Sequence, residues 1–469
     1  MLDLRPYIAR VKSSPGPSPE GRVHEVVGLL VEVVGMSAAT GQRLEVSTPR
    51  GPLIVEVMGF RRGVLLCAPL GSTAGVEPGA LVRRRTLGDA LPAGDGLLGR
   101  VLDAFGAPLD ELTPARCAHR VPLVREPPPS YGRKPITQAL ETGVRVLDAL
   151  LPLGRGQRVG LFAGTGVGKS TLLGMLCRRA KADVIVVGLI GERGREVGDF
   201  VRHALGKEGL ARSVVVAATS DKAPLVRVQG ALAATAIAEH FRDLGKNVLL
   251  VMDSVTRFAM ALREVSLAAG EPPVTKGYTP SVFAALPTLL ERTGNTAGEG
   301  SITAIYTVLV EGDDLGDPIA DAVRGILDGH IVLSRSLAER GVYPAVDVLK
   351  SVSRVFEEIT QPDHKRVAIE VRGALGTYRE TADLVRIGAY VAGSDPRVDA
   401  AVRAAPRIES ALKQRIDEPS TRADALRVVS EALRGPAPQP TQRPPIPGPA
   451  PARGGPQDAG PKPRDAPRR

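Results

Sequence analysis

Eight consecutive residues, Gly164-Thr165-Gly166-Val167-Gly168-Lys169-Ser170-Thr171, lie between an apolar run, Val159 to Ala163, and the helical run LLGML. In that setting of strand, loop and helix they form a P-loop. Glycines let successive backbone N–H groups curl around phosphates, and the helix that follows offers its positive end. Lys169 then sets a point charge on the β- and γ-phosphates, and the Ser170 hydroxyl can ligate Mg²⁺. The strict pattern asks for glycine at 163, where alanine stands, so ordinary backbone geometry is expected there.

Two carboxylates can complete the chemistry. The run NVLLVMD, Asn247 to Asp253, reads as an apolar strand ending in an acid. That placement suits a Walker B residue reaching the water shell of Mg²⁺ from a strand's carboxyl end. A second strand, Asp183 to Ile190, runs into Gly191-Glu192-Arg193, which brings Glu192 to the same sheet edge, where it can align and polarise an attacking water. The plainer alternatives are a helix cap for Asp253 and a surface ion pair with Arg193 or Arg195 for Glu192.

These groups need a sheet to hold them. VGLFAG, DVIVVGLIG, SVVVAAT, NVLLVMD and SITAIYTVLV are continuous apolar runs, which predict strands buried on both faces of a parallel sheet, in an α/β core over residues 96–350. Ahead of it, β-rich runs such as VVGLLVEVVG, LIVEVMGF and GVLLCAPL, punctuated by Gly and Pro about every 8–12 residues, predict a small β-barrel over 23–95. Residues 351–434 carry helix formers at helical spacing, as in VRIGAYVAG and RADALRVVSEALR, broken at Gly393-Ser394-Asp395-Pro396, and predict a helical domain. Residues 1–22, with the breaker run Ser13-Ser14-Pro15-Gly16-Pro17, read as a mobile arm. The last 35 residues hold 12 Pro and 5 Gly without a collagen period, so a disordered tail is expected over 435–469.

Composition removes several other function classes. With 43% hydrophobic and 24% charged residues in 469, most of the chain can bury cores and fold, in about three units. Cysteines at 67, 117 and 177 have no paired spacing for zinc, redox catalysis or a disulfide framework, and read as buried or free thiols. The first twenty residues lack a signal-peptide pattern, and no run reaches the roughly 18 apolar residues of a membrane span, so a soluble cytoplasmic protein is expected. Of the formal charge of +10, the segment from Gly435 to Arg469 contributes +4, from six basic and two acidic residues. The remainder is compatible with loose attraction to anionic lipid or nucleic acid and equally with solubility alone.

The stretch from Gly99 to Arg354 resembles the catalytic β-subunit of rotary ATP synthases and, more closely, the type III protein export ATPases of flagella and injectisomes. The resemblance rests on GLFAGTGVGKSTLL, LIGERGREVGDF, LLVMDSVTRFAMALREVSLAAGEPPVTKGYTPSVFAALPTLLER and GILDGHIVLSRSLAERGVYPAVDVLKSVSR. GRVHEVVGLLVEVVG is similar to the start of the family's barrel, and GAYVAGSDPRVDAAVRAAPRIESALKQ to its helical domain, so coverage extends from about Gly21 to Arg434. The resemblance implies a RecA-like P-loop core and a Mg²⁺-dependent ATPase that unfolds and delivers export substrates, the flagellar branch being favoured by SDKAPLVRVQGALAATAIAEHFRDLGK and DPIADAVRGILDGHIVLSR. It makes Lys169 and Ser170 the phosphate and Mg²⁺ ligands, Glu192 the catalytic carboxylate and Asp253 the Walker B acid. Arg193 and Arg257 match basic residues near the γ-phosphate, Tyr343 the ring that stacks on adenine, and Arg354 the finger offered across a subunit boundary. The implied partners are further copies in a homohexameric ring, export substrates and their chaperones, a stator-like regulator and a central stalk protein. Peripheral contact with the inner membrane at the export apparatus is implied too.

Two other readings compete. A rotary ATP synthase subunit would require non-catalytic homologous partners, and GYTPSVFAALPTLLER fits the export branch better. A Rho-like RNA translocase shares the core but needs aromatic platforms for bases, and between Gly21 and Gly94 Phe60 is the only aromatic, so no specific nucleic-acid partner is expected.

Overall fold

The computed structural model describes residues 20–85, 90–310, 312 and 314–435. Its amino-terminal part is a closed barrel of β1 (Gly21–Val27), β2 (Leu30–Val34), β3 (Arg43–Val46), β4 (Leu53–Arg61), β5 (Val64–Pro69) and β6 (Leu81–Arg84), in the order β1-β2-β5-β4-β3-β6. Period-two alternation explains it: in β4, Leu53, Val55 and Val57 point inward to meet Val31, Val33, Leu44 and Val46, while Ile54, Glu56 and Met58 lie between them on the other face. The first strand starts at Gly21, so Gly21 and Arg22 belong to the barrel and not to the expected arm. The rest of that arm, and the expected tail beyond Gly435, lie outside the described residues, apart from Glu20.

The central sheet is built from β7 (Arg100–Leu102), β8 (Arg158–Ala163), β9 (Val184–Ile190), β10 (Ser213–Ala218), β11 (Asn247–Asp253), β12 (Ser301–Leu309), β13 (Gly329–Val332) and β14 (Val352–Ser353). Their order is β14-β13-β8-β12-β11-β9-β10-β7, and every pair along it is parallel except β14 with β13. Every residue of β9 and β10 is buried, as strands covered by helices on both faces require. One cover is the helix Pro224–Asp243, whose run of alanines packs against β9, β11 and β10.

Three helices follow, Pro362–Arg386, Pro396–Leu412 and Arg422–Arg434, packed on one another. The break expected at Gly393 to Pro396 is a helix start: the Asp395 side chain accepts from the Arg397 amide at 2.8 Å, and Pro396 takes the first turn. Residues Val352 and Ser353, expected in the helical domain, instead form the antiparallel edge strand of the central sheet. Cys67 and Cys177 are buried, which pushes both thiols up to about 12, and Cys117 is half-buried. Among the described residues no helix is long and apolar enough to cross a membrane.

Candidate functional site

Because β8, β12, β11 and β9 are parallel neighbours, their carboxyl ends share one edge, and the P-loop, Glu192 and Asp253 emerge there. The loop after β8 passes through Gly166 and Gly168 with φ of +77° and +89°, a region that side chains rarely adopt. Gly168 caps the helix Lys169–Arg179 without a side-chain acceptor, so the N–H groups of its first turn are turned toward the loop. Val167 contributes backbone only, its side chain being buried in the core, whereas Thr165, Ser170 and Thr171 are exposed at the mouth. Ala163 remains a strand residue in register with Leu309, which is why alanine suffices there.

Lys169 Nζ joins both acids, in contact with Asp253 Oδ1 and 3.4 Å from Glu192 Oε1. Burial opposes the charge on Lys169, but the two carboxylates prevail and hold its pKa above the ordinary value. Glu192 is raised to about 7, first by burial, with Lys169 opposing and Asp253 and Glu196 adding to it. Glu196, one helical turn on, is lowered, first through its hydrogen bond with Glu192. Asp253 has a second partner: the Thr307 hydroxyl donates to its Oδ1 at 2.6 Å.

The Tyr343 ring lies over the loop, since a Cβ added at Gly168 would stand 3.3 Å from two of its carbons, and the side chain keeps 42% of its surface exposed. Arg257, on the helix Val255–Ala268, packs its stem on Gly191, where a Cβ would come within 2.8 Å of it. Its Nε is buried with no hydrogen-bond partner among the described residues, beside a cleft of about 410 Å³ that Gly164 and Thr165 also line. A buried donor without an acceptor next to a phosphate loop fits an anion bound between them. Arg193 is at the rim, largely exposed and 3.6 Å from Glu196.

Arg354 is not brought to this edge. Its amide donates to the Asp328 carbonyl at 3.0 Å, and the Asp328 amide donates to Arg158, the first residue of β8. At about 3.3 Å per residue, that level is about 17 Å along the sheet from Ala163.

Glu196 and Thr307 escaped sequence reasoning. Glu196 stands four residues after Glu192, a helical spacing visible in GERGREVGD, and Thr307 is a polar residue inside the buried strand SITAIYTVL.

A model of the ATP synthase alpha/beta family, nucleotide-binding domain, matches residues 143–353, and one of the T3SS EscN ATPase C-terminal domain matches residues 360–431. The flagellum-specific ATP synthase of Pseudomonas aeruginosa is 51% identical over 437 residues, covering 92% of this chain and 97% of that one. Among solved structures, the assembled ATPase EscN of the enteropathogenic E. coli type III secretion system superimposes with a TM-score of 0.84 at 42% identity, over 88% of this chain and 100% of the other. The same ATPase in complex with its central stalk EscO gives a TM-score of 0.81 at 41% identity, over the same shares.

Proposed function

The chain belongs to the type III protein export ATPases, a branch of the ATP synthase alpha/beta family, and from that membership we propose how its residues hydrolyse ATP and what they serve. The observation that carries the reading is the convergence of Lys169, Glu192 and Asp253 on a glycine loop that opens a helix. When the triphosphate enters, Lys169 exchanges its carboxylates for phosphate oxygens, and Arg257 supplies the donor that now lacks an acceptor. Glu192, released from Lys169, aligns the attacking water and takes its proton for in-line displacement at the γ-phosphorus. The Ser170 hydroxyl and the Asp253 carboxylate are hard oxygen donors that fit Mg²⁺. Held by these two residues, Mg²⁺ would supply positive charge against that building on the phosphates. Tyr343 stacks on the base, and Arg193 lies at the rim near the γ-phosphate.

Arg354, too far from its own loop, serves the site of a neighbouring copy. Identical head-to-tail contacts closing into a ring, here a hexamer, give every site both groups. EscN, solved in its assembled form and with a central stalk, supports that arrangement for its relative. Export substrates with their chaperones, a stator-like regulator, a stalk protein and peripheral contact with the cytoplasmic side of the inner membrane belong to the same reading. We place the chain in the flagellar branch, on the sequence phrases named above. Phosphate release from ATP by the purified protein tests the enzyme: it should require Mg²⁺, stop in EDTA and vanish in Lys169→Ala. Deleting the gene tests the branch, through loss of filaments as opposed to loss of secreted host-directed proteins.

A further inference from the structure

We propose that Thr307 is a positioning residue that holds one oxygen of Asp253 so that the other faces the metal's water shell, a role that rests on the ATPase reading above. Thr307 is fully buried in β12, the strand between the P-loop strand β8 and the Walker B strand β11. Register places it there: Tyr306 pairs with Met252, so the next residue of each strand, Thr307 and Asp253, lie side by side at the carboxyl edge. Its hydroxyl is 2.6 Å from Asp253 Oδ1 and 3.3 Å from the Met252 carbonyl oxygen. One proton cannot serve both, and the shorter, charge-assisted bond to the carboxylate takes it.

The chemistry around it makes the hydroxyl conspicuous. Ile305, two residues back on the same face, and the adjacent Val308 are fully buried and apolar, and valine would fill the position of Thr307 with the same shape. A buried hydroxyl is costly unless it has a partner, and here the partner is the acid itself. Asp253 is 3% exposed, so water cannot readily replace a missing donor. Lys169 is the other donor on Oδ1, and it is the group that must leave for the phosphates. Thr307 then remains, among the described residues, as the donor that keeps the carboxylate from rotating in its pocket.

The test compares wild type, Thr307→Val and Thr307→Ser in two measurements: hydrolysis across a Mg²⁺ titration, and binding of a non-hydrolysable ATP analogue with Mg²⁺ and in EDTA. Thr307→Val is expected to raise the Mg²⁺ concentration for half-maximal rate about 10-fold, the size of one hydrogen bond to a charged group. It should weaken analogue binding by a similar factor with Mg²⁺ while leaving binding in EDTA unchanged. Thr307→Ser keeps the hydroxyl and should stay within about twofold of wild type in every measurement. If the valine variant does not fold, Thr307→Cys, a poorer donor of similar size, takes its place with the same expectation. The role is overturned if the variant lacking the hydroxyl keeps the wild-type Mg²⁺ response, or if binding in EDTA falls in parallel, as a loosened fold would produce. A wild-type chain without Mg²⁺-dependent hydrolysis overturns the ATPase reading instead, and the assignment to Thr307 goes with it.

Discussion

The Arg354 amide donates to the Asp328 carbonyl oxygen at 3.0 Å, which pins Arg354 to the amino-terminal end of the parallel strands, the end opposite the P-loop of its own chain. Its guanidinium is within 3.4 Å of the Arg324 carbonyl and is exposed at that surface. On the proposed reading, a side chain so placed serves the site of a neighbouring copy.

Activity per mole should therefore rise steeply with protein concentration as copies associate. An arginine finger is worth about 10³ to 10⁵ in rate, so Arg354→Ala should bind nucleotide yet stay slow at every concentration. Mixing inactive Glu192→Gln with inactive Arg354→Ala protein should restore part of the activity, because some interfaces pair two intact groups. Phosphate release from the mixture measures this, and a mixture that stays dead although mixed oligomers form removes the shared site.

Glu192→Gln keeps the shape of the pocket and removes the base, so it should retain MgATP binding and lose about 10²-fold or more in single-turnover rate. Lys169→Ala should weaken nucleotide binding itself and leave two carboxylates facing each other without their cation. Rapid quench separates the two effects; wild-type turnover in Glu192→Gln would take the catalytic assignment away from Glu192.

Tyr343 lies against Gly168 with part of its ring free, which is the arrangement a stacked base needs. Tyr343→Ala should weaken ATP binding about 10-fold, the scale of one base on one aromatic ring, and Tyr343→Phe should change it little. Gly168→Ala should also weaken binding, since its φ of +89° strains any side chain and the new Cβ meets the ring. Equilibrium titration with a fluorescent ATP analogue reads all three, and unaltered affinity in Tyr343→Ala sinks the stacking role.

Far from the site, Asp110 receives Arg100 Nε at 2.7 Å and Nη2 at 2.9 Å, together with the Val101 amide at 3.0 Å. The hydrogen bond from Arg100 leads in lowering its pKa from 3.8 to about 2. A carboxyl depressed in the folded state adds stability that is complete above the unfolded value and is lost as pH falls through the folded one. Wild type should thus lose stability between pH 4 and 2 more steeply than Asp110→Asn. Urea midpoints across that window give the comparison, and parallel curves would mean that the pair does not set acid sensitivity.

Much of this protein was legible as a linear string because the relevant physics is local. The P-loop declares itself through glycines beside Lys169 and Ser170, since only backbone N–H groups can wrap a phosphate and only glycine permits their geometry. The barrel shows in short β-rich runs punctuated by Gly and Pro, and the buried strands in unbroken apolar runs. That Asp253 and Glu192 end up beside Lys169 was also readable, because parallel strands with helical crossovers must finish at one edge.

Strand order is different in kind. It is decided by helices packing across the sheet between segments far apart in sequence, and no local pattern encodes it. Placing β12 between β8 and β11 is what put Thr307 on Asp253, 54 residues away in the chain. Glu196 reached Glu192 only once a helix had formed at the rim. Residues that read as the start of a helical domain became β14, and its antiparallel course turned Arg354 to the far end of the sheet. The string supplied the reacting groups and the edge they share, whereas long-range packing settled which groups touch and set Arg354 at the opposite end of the sheet.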